Sequence, residues 1–207
     1  MNSYRTVENY RTLEFSLEVK RSEFIAYVHR VDSQEQAEEF IQSIRVLHPK
    51  ARHVCWSFVL GCQQEIQRSS DDGEPSGTAG IPILQTIVKN SGELPLSDVV
   101  VVVVRYFGGT LLGTGGLARA YSEASAKALE QANFCSRIEQ QMYAICVSFE
   151  RVGKVENLLR QKAETPLEVK YLDDCVEIIT PCCDTEFLKQ LQLEYSNQGT
   201  RWIDMTL

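Results

Sequence analysis

Two segments of the 207-residue chain gather residues whose types and spacing can do chemistry. The first is Ser69-Ser70-Asp71-Asp72-Gly73-Glu74-Pro75-Ser76-Gly77-Thr78-Ala79-Gly80. Clustered carboxylates of this kind ligate a hard cation such as Mg2+, or raise one another's pKa for acid–base work. The same residues equally suit a turn in which Ser76 or Thr78 caps the following helix and the acids favour its positive end. The second segment runs Arg105-Tyr106-Phe107-Gly108-Gly109-Thr110-Leu111-Leu112-Gly113-Thr114-Gly115-Gly116-Leu117-Ala118-Arg119. A strand entering a Gly-rich loop and then a helix leaves backbone N–H groups free for a phosphate or carboxylate, and Arg105 and Arg119 add charge. It is neither a P-loop nor a dinucleotide fingerprint, because Ala118 stands where the last glycine belongs. Tight helix–sheet packing also asks for small residues, so both readings stay open here too.

The two segments together define the expected binding site. The loop Ser70, Asp71, Asp72, Glu74 and Thr78 should meet Arg105 at the strand end, with Gly108, Gly109, Gly113, Thr114, Gly115 and Gly116 at the helix start. Two converging helix starts would favour an anion, the acids would orient Arg105 or Arg119 or hold a metal, and His53 would border the cleft. As exposed polar groups, Arg105 and Asp72 should matter little to stability. No G-x-S-x-G nucleophile motif is present. His48 and His53 lie five apart without partners at ligand spacing, so no zinc site is expected. No catalytic residue, metal or cofactor is assigned.

These residues need elements to hold them. Leu13, Phe15, Leu17 and Val19 alternate with polar residues as a half-buried strand does, and a second strand follows over 22–31. Ser33 and Gln36 are spaced as a capping box ahead of a helix that Pro49 closes. Residues 53–60 read as an interior strand, 63–77 as a polar loop and the region from Thr78 as a helix. Asp98 to Tyr106, with six consecutive valines, reads as a central strand buried on both faces, and a small-residue helix runs from the second Gly cluster to about Ala132. Near residue 135 the pattern restarts, with a linker at 134–139. Strands are expected at 142–149, 167–171, 175–180 and 200–205, with helices at 152–159 and from Asp184 to Gly199. That βαββαβ order is ferredoxin-like, and it divides the chain into domains 1–135 and 136–207.

Composition sets the outer limits. Hydrophobic residues make up 43% and charged residues 24%, which excludes disorder and fibrous repeats. The longest apolar run, Val99 to Val104, is far short of the roughly 20 residues that span a membrane. Seven cysteines without C-x-x-C spacing, and no secretory signal in the first 20 residues, point to reduced thiols in a cytoplasm. The net charge is −7, and neither expected domain is basic, at −3 and −4. Bulk coating of nucleic acid is therefore unfavourable, although net charge does not locate charge.

The motifs Lys20-Arg21-Ser22-Glu23-Phe24-Ile25-Ala26, His48-Pro49 with Arg52-His53, Ser70-Asp71-Asp72-Gly73-Glu74-Pro75 with Gly77-Thr78-Ala79-Gly80, and Val103 through Leu117 resemble the IMPACT/YigZ family over most of residues 15–125. The resemblance implies an α+β two-domain protein. Its N-terminal domain would have the α/β fold named for the second domain of a ribosomal protein, shared with elongation factor G domain four and the GHMP kinases. Its C-terminal domain would be ferredoxin-like. Eukaryotic relatives regulate translation. The function this implies is a translation-associated binding or regulatory protein, acting through the Gly-rich groove on RNA or on a ribosomal or regulatory protein. The alternative is an enzyme or small-ligand binder that uses the acidic loop and the Gly-rich helix start on a phosphate or metal–phosphate ligand.

Overall fold

Val99 to Val104 are fully buried, and their side chains divide strictly between two cores. Val99, Val101 and Val103 enter one, and Val100, Val102 and Val104 the other. Successive strand side chains point to opposite faces, so a strand apolar at every position needs a layer on each side. The computed structural model describes residues 3–8, 11–90, 92–138, 142–161, 167–181, 186–187 and 201–205, and it supplies both layers.

The chain divides into two compact units, residues 1–139 and 140–207. The first contains strands β1 (Ser3–Val7), β2 (Leu13–Val19), β3 (Ser22–Arg30), β4 (His53–Leu60), β5 (Ile66–Ser70), β6 (Val99–Tyr106) and β7 (Phe134–Ile138). Its helices are α1 (Gln34–Leu47), α2 (Gly80–Lys89) and α3 (Thr114–Glu130). Five strands form an antiparallel sheet in the order β2-β3-β6-β4-β5, so β6 lies at its centre. Helices α2 and α3 cover one face through Ile83, Ile87, Leu117, Tyr121 and Ala124. Helix α1 covers the other through Ala37, Ile41 and Ile44. The α1 start is capped as its sequence indicates, the Gln36 N–H donating to Ser33 Oγ at 3.3 Å.

Parts of this unit depart from the sequence reading, which began its strands at Leu13 and so did not include β1. The polar stretch 63–77 contains β5, an edge strand whose residues are exposed or half-exposed along its length. Residues 134–138, expected as linker, form β7 and pair antiparallel with β1. Both strands are short, and neither carries a run of alternating apolar residues.

The second unit contains β8 (Met142–Val147), α4 (Val152–Arg160), β9 (Glu168–Tyr171), β10 (Val176–Pro181) and β11 (Arg201–Met205). Its strands lie antiparallel in the order β11-β8-β10-β9. Val155 and Leu159 of α4 pack on Ile145, Val147, Val176 and Ile178. The helix expected from Asp184 to Gly199 lies largely outside the described residues. Among the described residues no helix is long and apolar enough to cross a membrane.

Candidate functional site

Strands β4 and β6 run antiparallel with His53 directly opposite Arg105, so the start of one and the end of the other share one edge of the sheet. Arg105 is buried, at 6% exposure, and does not lie on the surface as its polarity suggests. Its Nη1 donates to Glu74 Oε1 at 2.7 Å, and the Tyr121 hydroxyl of α3 donates to the same oxygen at 2.8 Å. The guanidinium lies over the Phe24 and Phe107 rings, 5.6 and 5.5 Å from their centroids. A buried cation persists only when paired and hydrogen-bonded, and Glu74 serves one edge of the fork. Arg105 Nε is buried with no hydrogen-bond partner among the described residues. Cys55, beneath this pair, donates to the Asp71 carbonyl at 3.0 Å and lies 3.4 Å from Tyr121 Oη. Burial pushes its thiol up to about 12 and raises the Tyr121 phenol well above its ordinary value.

The acidic loop is folded on itself. The Asp71 carboxylate accepts the N–H groups of Gly77, Ala79 and Gly80 at 2.8, 2.9 and 2.8 Å. It therefore caps α2 from outside the helix, while the N-cap residue Ala79 contributes no side-chain bond. Ser76 and Thr78 do not provide the cap, and Thr78 Oγ1 instead donates to the Pro75 carbonyl at 2.6 Å. Burial alone would raise the Asp71 carboxyl, but the backbone donors outweigh it and hold the group below its ordinary value. Asp72 accepts the Val54 N–H at 2.7 Å and a two-pronged contact from Arg45 at 3.0 and 3.1 Å, while Ser70 Oγ accepts the Asp72 N–H at 3.2 Å. Each carboxylate thus has a protein partner already. Among the described residues no group of three His, Cys, Asp or Glu side chains is placed to hold a metal ion. The α2 start is likewise closed to an external anion, because Asp71 occupies it.

The glycines serve different ends. A Cβ on Gly108 would stand 1.9 Å from the Arg21 carbonyl oxygen, and one on Gly80 would stand 2.8 Å from Ser70 N. Both are close-packing positions. Gly109 and Gly113 have φ of 83° and 72°, which other residues rarely adopt. Thr114 and Gly115 form the exposed start of α3, with Gly116 half-buried behind them.

A cleft of about 470 Å³ opens at this edge of the sheet. Lys50, Arg52, His53 and Arg105 line it together with Tyr106, Phe107 and Leu111. Among the described residues no carboxylate lines it. Lys50 and Arg52 are exposed and have no ion-pair partner among the described residues. Phe107 and Leu111 are 53% and 84% exposed. His53 Nδ1 contacts the Asp72 carbonyl at 3.0 Å. A carbonyl only accepts, so Nδ1 carries the proton and neutral His53 keeps its lone pair on Nε2. The His48 ring holds the rear of this wall, 2.7 Å from Tyr27 Oη and 2.9 Å from Tyr106 Oη.

The expected residues are thus brought together in part. His53, Asp71, Asp72, Glu74 and Arg105 form one connected set. The Gly-rich stretch reaches the cleft through Phe107 and Leu111, while Gly113 to Gly116 do not line it. Arg119 lies elsewhere, in a shallow groove between α2 and α3 beside Pro82 and Lys89. The sequence reading missed Lys50 and Arg52, although Lys50-Ala51-Arg52-His53 places three basic side chains within four residues.

Fold and cleft together define a mixed α/β protein with a cationic, aromatic-edged cleft at one end of a double-covered sheet. Residues 20–129 match the model of the Impact N-terminal domain. The chain belongs to the IMPACT family. It is 37% identical over 203 residues to the IMPACT family member YvyE of Bacillus subtilis, covering 98% of this chain and 86% of that protein. It is 40% identical over 146 residues to the IMPACT family member YigZ of Escherichia coli, covering 70% of each. A crystal structure of a hypothetical protein superposes with a TM-score of 0.73 at 30% identity, covering 99% of this chain and 98% of the other.

Proposed function

We propose that this protein is a translation-associated regulatory binding protein of the cytoplasm, and that its first unit takes RNA at the cleft between the start of β4 and the end of β6. The first unit would have the α/β fold of the ribosomal-protein second domain. The second would be ferredoxin-like, a reading supported by the sheet order β11-β8-β10-β9 after a β-α-β-β run. The cytoplasmic reading is supported by the free thiols of Cys55, Cys62, Cys135, Cys146 and Cys175.

One observation carries the functional reading. In a chain of net charge −7, four basic side chains line a single cleft, and two of them have no ion-pair partner among the described residues. Phosphate attracts such a patch, while bases stack on exposed rings such as Phe107. The acidic remainder of the surface repels nucleic acid and confines binding to the cleft. The acidic-loop half of the enzymatic alternative is weakened, because Asp71, Asp72 and Glu74 are each held by protein donors.

Fluorescence-anisotropy titration of a labelled single-stranded RNA at low salt tests the reading. Saturable binding that weakens steeply with added salt, and that fails in the Lys50→Glu/Arg52→Glu variant, is expected. An RNA that does not bind, with retention of ribosomal proteins instead, would move the partner from RNA to protein.

A further inference from the structure

We infer that the cleft holds the phosphomonoester of a single nucleotide unit, with the phosphate against Arg105, Lys50 and Arg52 and the base against Phe107 and Leu111. This rests on the reading of the first unit as an RNA binder and narrows it from RNA in general to a terminal phosphate.

Arg105 carries the argument. Its side chain is 7% exposed, yet only one edge of the fork is engaged, through Glu74. The Nε–H is buried without an acceptor among the described residues, although Arg105 lines an open cleft. A buried donor without an acceptor is costly in a folded protein, and it marks the guanidinium as under-satisfied at the point where Arg105 lines the cleft. Guanidinium is also the side chain best matched to a phosphate's paired oxygens.

Charge then selects the kind of phosphate. Glu74 balances Arg105, so the surplus in the cleft is Lys50 and Arg52, both exposed and unpaired among the described residues. Two surplus cations match a phosphomonoester, which carries about −1.5 to −2 at neutral pH. A backbone diester, with a single charge, would leave one of them unmatched. His53 Nε2, on the same wall, is an acceptor for a sugar hydroxyl in the neutral ring and a donor to phosphate in the charged ring.

Size selects the unit. A strand-tracking groove extends over several nucleotides, whereas this cleft, at about 470 Å³, falls among the compact small-ligand sites. The Phe107 ring lies beside the Arg105 guanidinium and is still half exposed, which leaves it available for one base.

The test compares four probes on the full chain: an RNA decamer with a 5′ monophosphate, the same decamer with a 3′ monophosphate, the same with hydroxyl ends, and adenosine 5′-monophosphate. At least one phosphorylated decamer should bind ten-fold or more tightly than the hydroxyl form, with adenosine monophosphate competing for the same site. The Lys50→Gln/Arg52→Gln variant, altered only at exposed positions, should keep its melting temperature and lose the preference for phosphorylated ends. Phe107→Ala should weaken all the probes together. Equal affinity for phosphorylated and hydroxyl decamers overturns the inference and leaves the RNA reading standing. Binding of adenosine monophosphate without any decamer keeps the inference and overturns the RNA reading, making the ligand a free nucleotide. If no probe binds, both fall.

Discussion

At the residue scale, side chains of similar polarity in one small region have opposite consequences. Arg105 and Glu74 form a pair at 7% and 3% side-chain exposure, whereas Lys50 and Arg52, lining the same cleft as Arg105, are exposed. Removing one partner of a buried pair strands the other's charge, typically at about 3–5 kcal/mol. Arg105→Ala should therefore lower the unfolding free energy by about that much, while Lys50→Ala should stay within about 0.5 kcal/mol of wild type. Urea denaturation of the two variants separates them, and equal stability would show that the Arg105–Glu74 pair does not form in solution. Asp71 gives the pH-dependent case. Its carboxyl is held below the ordinary value, so the charged form is favoured by folding. The contribution is complete above the unfolded-state pKa and disappears as the pH falls through the lower, folded value. Asp71→Asn should accordingly be less stable than wild type at neutral pH, by about 1 kcal/mol on the scale of helix caps, and the gap should close in acid. A gap that is constant or widens toward acid would contradict the cap.

At the element scale, legibility follows the strength of local pattern. The six valines of β6 could only belong to a strand covered on both faces, and Ser33 with Gln36 marked the α1 start within one turn of sequence. The α2 cap was hidden because Asp71 lies nine residues before Gly80, a separation no local spacing rule covers. β5 was hidden because an edge strand exposed or half-exposed along its length has no period-two alternation to read. Lys50 and Arg52 were visible as letters, but their importance depends on the end of β6 arriving beside them, which is tertiary information. The turn between β2 and β3 offers an element-level test. A methyl group at Gly108 would overlap the Arg21 carbonyl, so Gly108→Ala should cost about 1–3 kcal/mol as an overpacked site does. A melting curve unchanged by that substitution would mean that the loop after β6 does not lie against the β2–β3 turn. Cys55 offers another. Burial pushes its thiol up to about 12, so in the native protein at pH 8 it should resist a thiol reagent that labels half-exposed Cys62, with peptide mapping as the readout.

At the scale of the whole molecule, an acidic chain carries a cationic cleft, and its two compact units meet in sequence at residues 139 and 140. A fragment of residues 1–139 retains β7 and with it the β1–β7 pairing. It should fold by circular dichroism and melt cooperatively, whereas a fragment ending at residue 133 should be less stable. The most direct test of the central claim is the affinity of the full chain for a single-stranded RNA at low salt, measured beside the Lys50→Glu/Arg52→Glu variant. The account predicts saturable binding by the wild type, lost in the variant while its melting temperature holds. Undiminished binding by the variant would contradict it.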